Sequence, residues 1–255
     1  MKISATIIVK DEEGNLPACL ASLDFVDEIV VLDSGSADRT AEICRAHPRV
    51  RYAMRALDGF GSQKNAAADL ARNDWVLNVD ADERVSPRLR ASILAADTQR
   101  VDGFRVAREN YFGGRRIRHC GWYPDAKLRL YDRRRCRFGE RLVHEAVACA
   151  GPVGTLAGHL VHYSYRDVSD YLARLERYST LAAREVVRAG GRPGVAAVAA
   201  RPLWMFVRTY LLKRGFLDGY DGLLISILTA FSTFAKYAKA RELCRGEASG
   251  RDGGG

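Results

Sequence analysis

The sequence predicts an α/β protein: a mostly parallel sheet flanked by helices, with a helical extension at its C-terminal end. Three observations carry that reading. In the first hundred residues short apolar, β-branched runs alternate with segments of helical length. Two of the runs close on an acid, Glu28–Asp33 and Trp75–Asp80. From Asp167 onward the chain turns helical.

Taken in order, Ile3–Val9 is the first strand, and Asn15 offers an N-cap for a helix through Leu23. Glu28–Asp33 is a second buried strand. Ser34–Thr40 is a loop of turn and capping residues that feeds a helix ending near His47-Pro48. Val50–Ala53 is a short third strand, a helix follows from Ser62 to Arg72, and Trp75–Val79 is a fourth strand ending in Asp80. Ser86-Pro87 forms a good N-cap and first-turn pair for a helix to Ala95. Beyond Gly103, strand-like pieces (Gly103–Val106, Arg129–Tyr131, Val143–Ala148) are mixed with turns and arginines. Helices are expected over Val168–Ala189, Pro202–Leu212 and Leu223–Ala240, with a break at Gly190–Gly194 and a frayed tail from Gly246.

A chain of 255 residues is long enough to bury a substantial core. The six cysteines show no C-x-x-C pair, which argues against a zinc ribbon and reads as reduced thiols in a cytoplasmic protein. Lys10-Asp11-Glu12-Glu13 stands where an export signal would need a small-residue cleavage site. The formal net charge of +9 favours anionic partners.

Asp80-Ala81-Asp82 ends a buried strand, where ligands of open α/β sheets bind. Carboxylates at this spacing can turn toward one hard cation, with phosphate oxygens completing its shell; a solvated acidic turn before a helix is the alternative. Asp33 closes the second strand, a place suited to a nucleoside, although an Asp before Ser34-Gly35-Ser36 also starts a turn. In Gly59-Phe60-Gly61-Ser62-Gln63-Lys64-Asn65, Lys64 fills the third glycine position of a dinucleotide fingerprint, so that motif is excluded. Free amides at a helix start, beside Lys64, would suit a diphosphate.

Together these segments resemble glycosyltransferase family 2. The resemblance lies in Ile7–Glu12, Asp33–Thr40, Gly61–Asn65 and Asp80–Glu83. It continues through Gly121–Asp125, Arg129–Tyr131, Val143-His144-Glu145 and Gly215–Gly219. The full set looks like the branch of lipopolysaccharide core β-1,4-glucosyltransferases that act on heptose. Asp11 departs from it, since Asn is more usual there. The resemblance implies an inverting transferase of GT-A fold that uses a nucleotide-diphosphate sugar, UDP-glucose first, and Mg²⁺ or Mn²⁺. It divides the chain into a nucleotide-sugar-binding half (1–105), an acceptor-facing part (106–166), a helical segment (167–245) and a tail (246–255).

By the same match Asp33 would contact the uridine, Glu12 and Lys64 the nucleotide sugar, and Asp80 and Asp82 the metal, with His144 as a further metal or phosphate ligand. Single displacement needs one base for the acceptor hydroxyl. Glu145 and Asp125 are the candidates, with Glu145 preferred, and either one could instead sit in a salt bridge with a nearby arginine. Trp122 could stack on a sugar, though a tryptophan is more often core. Arg129 belongs to an arginine cluster (Arg115-Arg116, Arg118, Arg133–Arg135, Arg137, Arg141) that would suit an anionic glycolipid acceptor such as the phosphorylated lipopolysaccharide core.

Leu223–Ala235 carries no charge but is only about two-thirds of the ~20 residues needed to span a bilayer. Its basic flanks fit either a peripheral contact on the inner face of the cytoplasmic membrane or helices that cover the sheet. Two other classes fit less well. A sugar-1-phosphate nucleotidyltransferase would want a glycine-rich loop where Lys10–Glu13 stands. A nucleic-acid-binding module would interleave aromatics with its basic residues, so no nucleic-acid partner is expected.

Overall fold

The computed structural model describes residues 1–139 and 146–252, with side chains up to 246. The chain forms two compact units, residues 1–110 with 124–164 and residues 111–123 with 165–255.

The first unit opens with β1 (Ile3–Val9), α1 (Leu16–Ala21), β2 (Glu28–Asp33), α2 (Thr40–Ala46), β3 (Val50–Met54), α3 (Phe60–Asp69) and β4 (Trp75–Asn78). β5 (Glu83–Val85) and α4 (Pro87–Leu94) follow. β6 (Gly103–Phe112), β8 (Lys127–Asp132), β9 (Cys136–Phe138), β10 (Val147–Cys149) and β11 (Val153–Tyr165) complete its strands, and β7 (Arg115–Arg116) falls in the second unit. One sheet runs β3-β2-β1-β4-β8-β6-β11-β5, with β7 on β6, and β9 pairs separately with β10. The four strands from β3 to β4 are parallel, whereas β8 joins β4 antiparallel.

β1 and β2 read as continuous apolar runs because both sheet faces are covered. Successive side chains alternate in direction: Ile29 and Val31 enter a core with Ile3, Ile7, Leu16, Leu89 and Ile93. Val30, between them, joins Ala68, Val76, Tyr131 and Phe138 on the other face. Ser86 caps α4 as expected, its hydroxyl accepting the Leu89 N–H at 3.3 Å. Gly61 brings the first turn of α3 against the chain, since a Cβ there would lie 2.4 Å from the Gly139 carbonyl oxygen.

The second unit contains α5 (Val168–Arg188), α6 (Val195–Val207) and α7 (Gly219–Asp252), with a π turn at Arg208–Leu212 and a 3-10 turn at Gly215–Asp218 between the last two. Its core gathers Phe112, Ile117, Tyr171, Leu175, Ile225 and Leu228.

Several expectations are corrected. α6 begins at Val195 and holds Pro202 inside it, whereas the sequence reading started a helix at that proline. α7 continues through Asp252, so residues 246–252, read as a frayed tail, are helical. β11 is thirteen residues long and was not anticipated, because Gly154 and Gly158 interrupt its alternation. Cys136 and Cys149 are joined by a disulfide, against the expectation of six reduced thiols. The β9–β10 register sets the two directly opposite, a long-range pairing that cysteine spacing does not reveal.

Candidate active site

The acids expected at the strand ends do converge, and what orders them is a buried arginine. β8 lies beside β4 with Leu130 opposite Leu77, which brings Arg129 under the end of β4. Its guanidinium donates to Asn78 Oδ1 at 2.9 Å, Asp80 Oδ2 at 2.8 Å and Glu83 Oε1 at 2.6 Å. Arg129 is 4 % exposed. It is therefore an internal counterion, which corrects its expected place on an acceptor surface. Burial alone would favour the neutral guanidine, but Asp80 and Glu83 outweigh that and keep it protonated.

Lys64, on α3, stands 3.1 Å from the other Asp80 oxygen. Burial acts to raise the Asp80 pKa, but Arg129 and Lys64 prevail and hold it well below the ordinary carboxylate range. Glu83 is fully buried and also accepts the Asp80 N–H at 3.0 Å. Arg108 extends the network, reaching Glu83 at 3.3 Å and Asp125 in turn. Lys127 meets the second Asp125 oxygen at 3.3 Å. Against the effect of burial, these two cations hold the Asp125 carboxyl below its usual value. Such a carboxylate is a weak proton acceptor, so Asp125 is placed as an ion-pair member.

His162 is a site residue that the sequence reading missed. It lies on β11 opposite Glu83, with Nε2 3.4 Å from Asp82 Oδ2 and Nδ1 2.6 Å from Asn110 Oδ1. The Ser164 hydroxyl lies 2.9 Å from the same Nδ1. Among the described residues no group of three or more His, Cys, Asp or Glu side chains is placed to hold a metal ion.

The nucleoside side is organised by Asp33, which is fully buried. Its Oδ1 accepts from the N–H groups of Gly35 and Ser36 and from the Ser36 hydroxyl, and its Oδ2 accepts from Tyr52 at 2.9 Å. The carboxylate thus builds the turn at the sheet edge, which corrects the expectation of a ready contact to a base. Glu12 accepts from the Asn15 amide at 2.9 Å, and its N–H meets the Thr40 hydroxyl. Asp11 adopts a left-handed φ of 56°, which Asn and Asp tolerate, and its carboxylate accepts the Ala37 N–H at 2.7 Å. That explains how Asp can stand in for the usual Asn.

Trp122 belongs to the second unit, where its ring packs 6.4 Å from Phe112 and 6.1 Å from Tyr165. It is half-buried core, which corrects the sugar-stacking expectation. The arginine cluster is largely engaged by acids: Arg134 pairs with Asp132, Arg135 with Asp102, Arg137 with Asp69 and Arg115 with Asp221. It does not form the open cationic field expected for an anionic acceptor. His144, Glu145 and Arg141 lie outside the described residues.

A half-parallel, half-antiparallel sheet with acids at the carboxyl end of β4 defines a GT-A protein. The same fold is found in the crystal structure of S. aureus TarS 1-349 in complex with UDP-GlcNAc, at a TM-score of 0.50 and 14% identity over 97% of this chain and 92% of that one. The family model for glycosyl transferase family 2 matches residues 4–151. The chain belongs to glycosyltransferase family 2. It is 31% identical to the lipopolysaccharide core biosynthesis glycosyltransferase LpsC of Rhizobium meliloti, over 94% of this chain and 95% of that protein. An uncharacterized glycosyltransferase of Rickettsia bellii is 29% identical over 95% of this chain and 87% of its own length.

Proposed function

We propose that this glycosyltransferase moves a hexose, glucose first, from a UDP-sugar to an anionic glycolipid of the lipopolysaccharide inner-core type, with inversion and on the cytoplasmic side. The observation that carries the reading is the pair of acids that follows β4, Asp80 held by Lys64 and the buried Arg129, and Asp82 beside His162. The acceptor class rests on the similarity to LpsC over nearly the whole chain.

Among the described residues Asp80, Glu83 and Asp125 are paired with Lys64, Arg108, Lys127 and Arg129. An incoming diphosphate adds uncompensated negative charge, which a divalent cation would offset. Asp80 and Asp82 would hold Mg²⁺ or Mn²⁺, which when bound would supply Lewis-acid neutralisation of the departing nucleoside diphosphate. Lys64 adds a positive charge beside the phosphates. Arg129 and Glu83 fix the Asp80 rotamer, so that its carboxylate needs little reorganisation on binding. Asp33 and Glu12 hold the turns that receive the nucleoside. Glu145 takes the proton from the acceptor hydroxyl.

The test is nucleotide release across a panel of UDP-sugars with core oligosaccharide as acceptor. UDP-glucose should be the best donor, and excess chelator should abolish release. Asp82→Asn should cost at least ~100-fold in turnover with an unchanged melting temperature, because an amide cannot neutralise a hard cation. Asp82 is a cleaner probe than Asp80, whose carboxylate also anchors Arg129 and Lys64. Full activity in chelator, shared by Asp82→Asn, would remove the metal from the mechanism. Release from a different donor alone would replace glucose.

A further inference from the structure

The helical unit turns an apolar face outward. α6 and the π turn after it, Val195–Leu212, form eighteen residues of mean hydropathy 1.2, of which 6% is buried. Ala199, Ala200, Leu203, Trp204, Val207 and Leu211 recur at spacings that place them on one side of the helix, and all are exposed. An ordinary surface helix carries polar side chains there. Trp204 is 56% exposed and Leu203 70%. Leu212, Phe216 and Leu217 that follow are exposed as well, and in the last helix Phe231 and Phe234 are exposed and stacked at 6.2 Å.

Charge narrows the choice of occupant. Val195–Leu217 contains Arg201, Arg208, Lys213 and Arg214 and no acid. A second copy docking through the same face by two-fold symmetry would set these cations against their own images. An anionic lipid surface would neutralise them instead. Spanning is disfavoured as well. Eighteen residues rise about 27 Å as a helix, at the short end of what spans the ~30 Å hydrocarbon core. Arg201 and Arg208 would also lie within it, where charged side chains are costly. Lying in the interface satisfies both features, since the apolar face enters the acyl boundary while the guanidiniums reach the headgroups.

We propose that the α6 face, with the turns that follow it to Leu217, is an in-plane anchor for an anionic bilayer. This goes beyond the sugar-transfer reading and stands whatever the donor is.

Vesicle flotation of the full chain tests it, using phosphatidylcholine alone or mixed with phosphatidylglycerol. The protein should float with the mixed vesicles, and at least ~10-fold less with neutral ones or at high salt. Leu203→Asp combined with Leu211→Asp should weaken flotation at least ~10-fold, leaving the melting temperature and UDP binding unchanged because both side chains are exposed. Arg208→Gln with Lys213→Gln gives an independent arm that alters charge alone and should lower binding to mixed vesicles only. Flotation unaffected by both pairs overturns the proposal. So does absence of binding to either vesicle, including the case where sedimentation shows self-association that the Asp pair abolishes. Resistance to salt and alkaline carbonate on native membranes overturns it in favour of a spanning helix.

Discussion

Arg129→Met is expected to destabilise the protein by about 3–5 kcal/mol, the usual cost of removing one partner from a buried ion pair. For a chain of this size that lowers the melting temperature by roughly 6–20 °C. The reason is local. Arg129 donates to Asn78, Asp80 and Glu83, and Glu83 has no exposed surface. Methionine fills much of the same volume, so the cost is an uncompensated buried carboxylate rather than a cavity. Arg108, 3.3 Å away, covers Glu83 only in part. Adding Glu83→Gln to Arg129→Met should restore part of the stability, since the stranded charge is gone. Arg129→Lys should fall between, because a single ammonium cannot bridge three acceptors. Thermal unfolding of the four proteins decides it. A change below about 2 °C in Arg129→Met would mean that water reaches Glu83 and that the arginine is dispensable.

Glu145→Gln should reduce turnover at least ~100-fold, the low end of what general-base catalysis contributes, with donor binding almost unchanged because the base acts on the acceptor. The structure strengthens this expectation through the competitor. Asp125 is clamped between Arg108 and Lys127, which hold its carboxyl below the usual range despite burial. A group so stabilised as the anion accepts a proton poorly near neutrality. Because its folded-state pKa is depressed, it stays ionised from the ordinary carboxylate range upward and titrates only as pH falls below that range. Asp125→Asn should therefore leave the shape of the pH–rate profile above pH ~5 untouched and act mainly on the acceptor's KM. Glu145→Gln should instead remove the acidic limb of kcat. If Asp125→Asn removes that limb and Glu145→Gln is nearly normal, the two roles are exchanged.

The parallel half of the fold was legible in the sequence because its strands are short, mostly apolar runs, two of which close on an acid. Glu28–Asp33 is the clearest case, read with the bounds that the structure shows. The antiparallel half was harder. β11 carries two glycines, and β5 is three residues long, too short to show a period. His162 was missed for the same reason, since its strand was missed and its partners Asp82 and Asn110 lie on other elements.

What the sequence by itself determined was the α/β class, the resemblance to family 2 and the position of Asp80-Ala81-Asp82 after a buried strand. These are local: apolar period, strand length and a terminal acid are all written within a few consecutive residues. Only the tertiary structure decided which charges meet. Arg129 looked like one arginine among many, and it became the buried counterion because β8 runs antiparallel to β4 in a register that sets it beneath Asp80. Trp122 and Asp125 were drawn into an aromatic core and an ion-pair chain by neighbours remote in sequence or on other strands. Pairing of charges and rings depends on strand register and distance in space, and neither leaves a periodic trace along the chain.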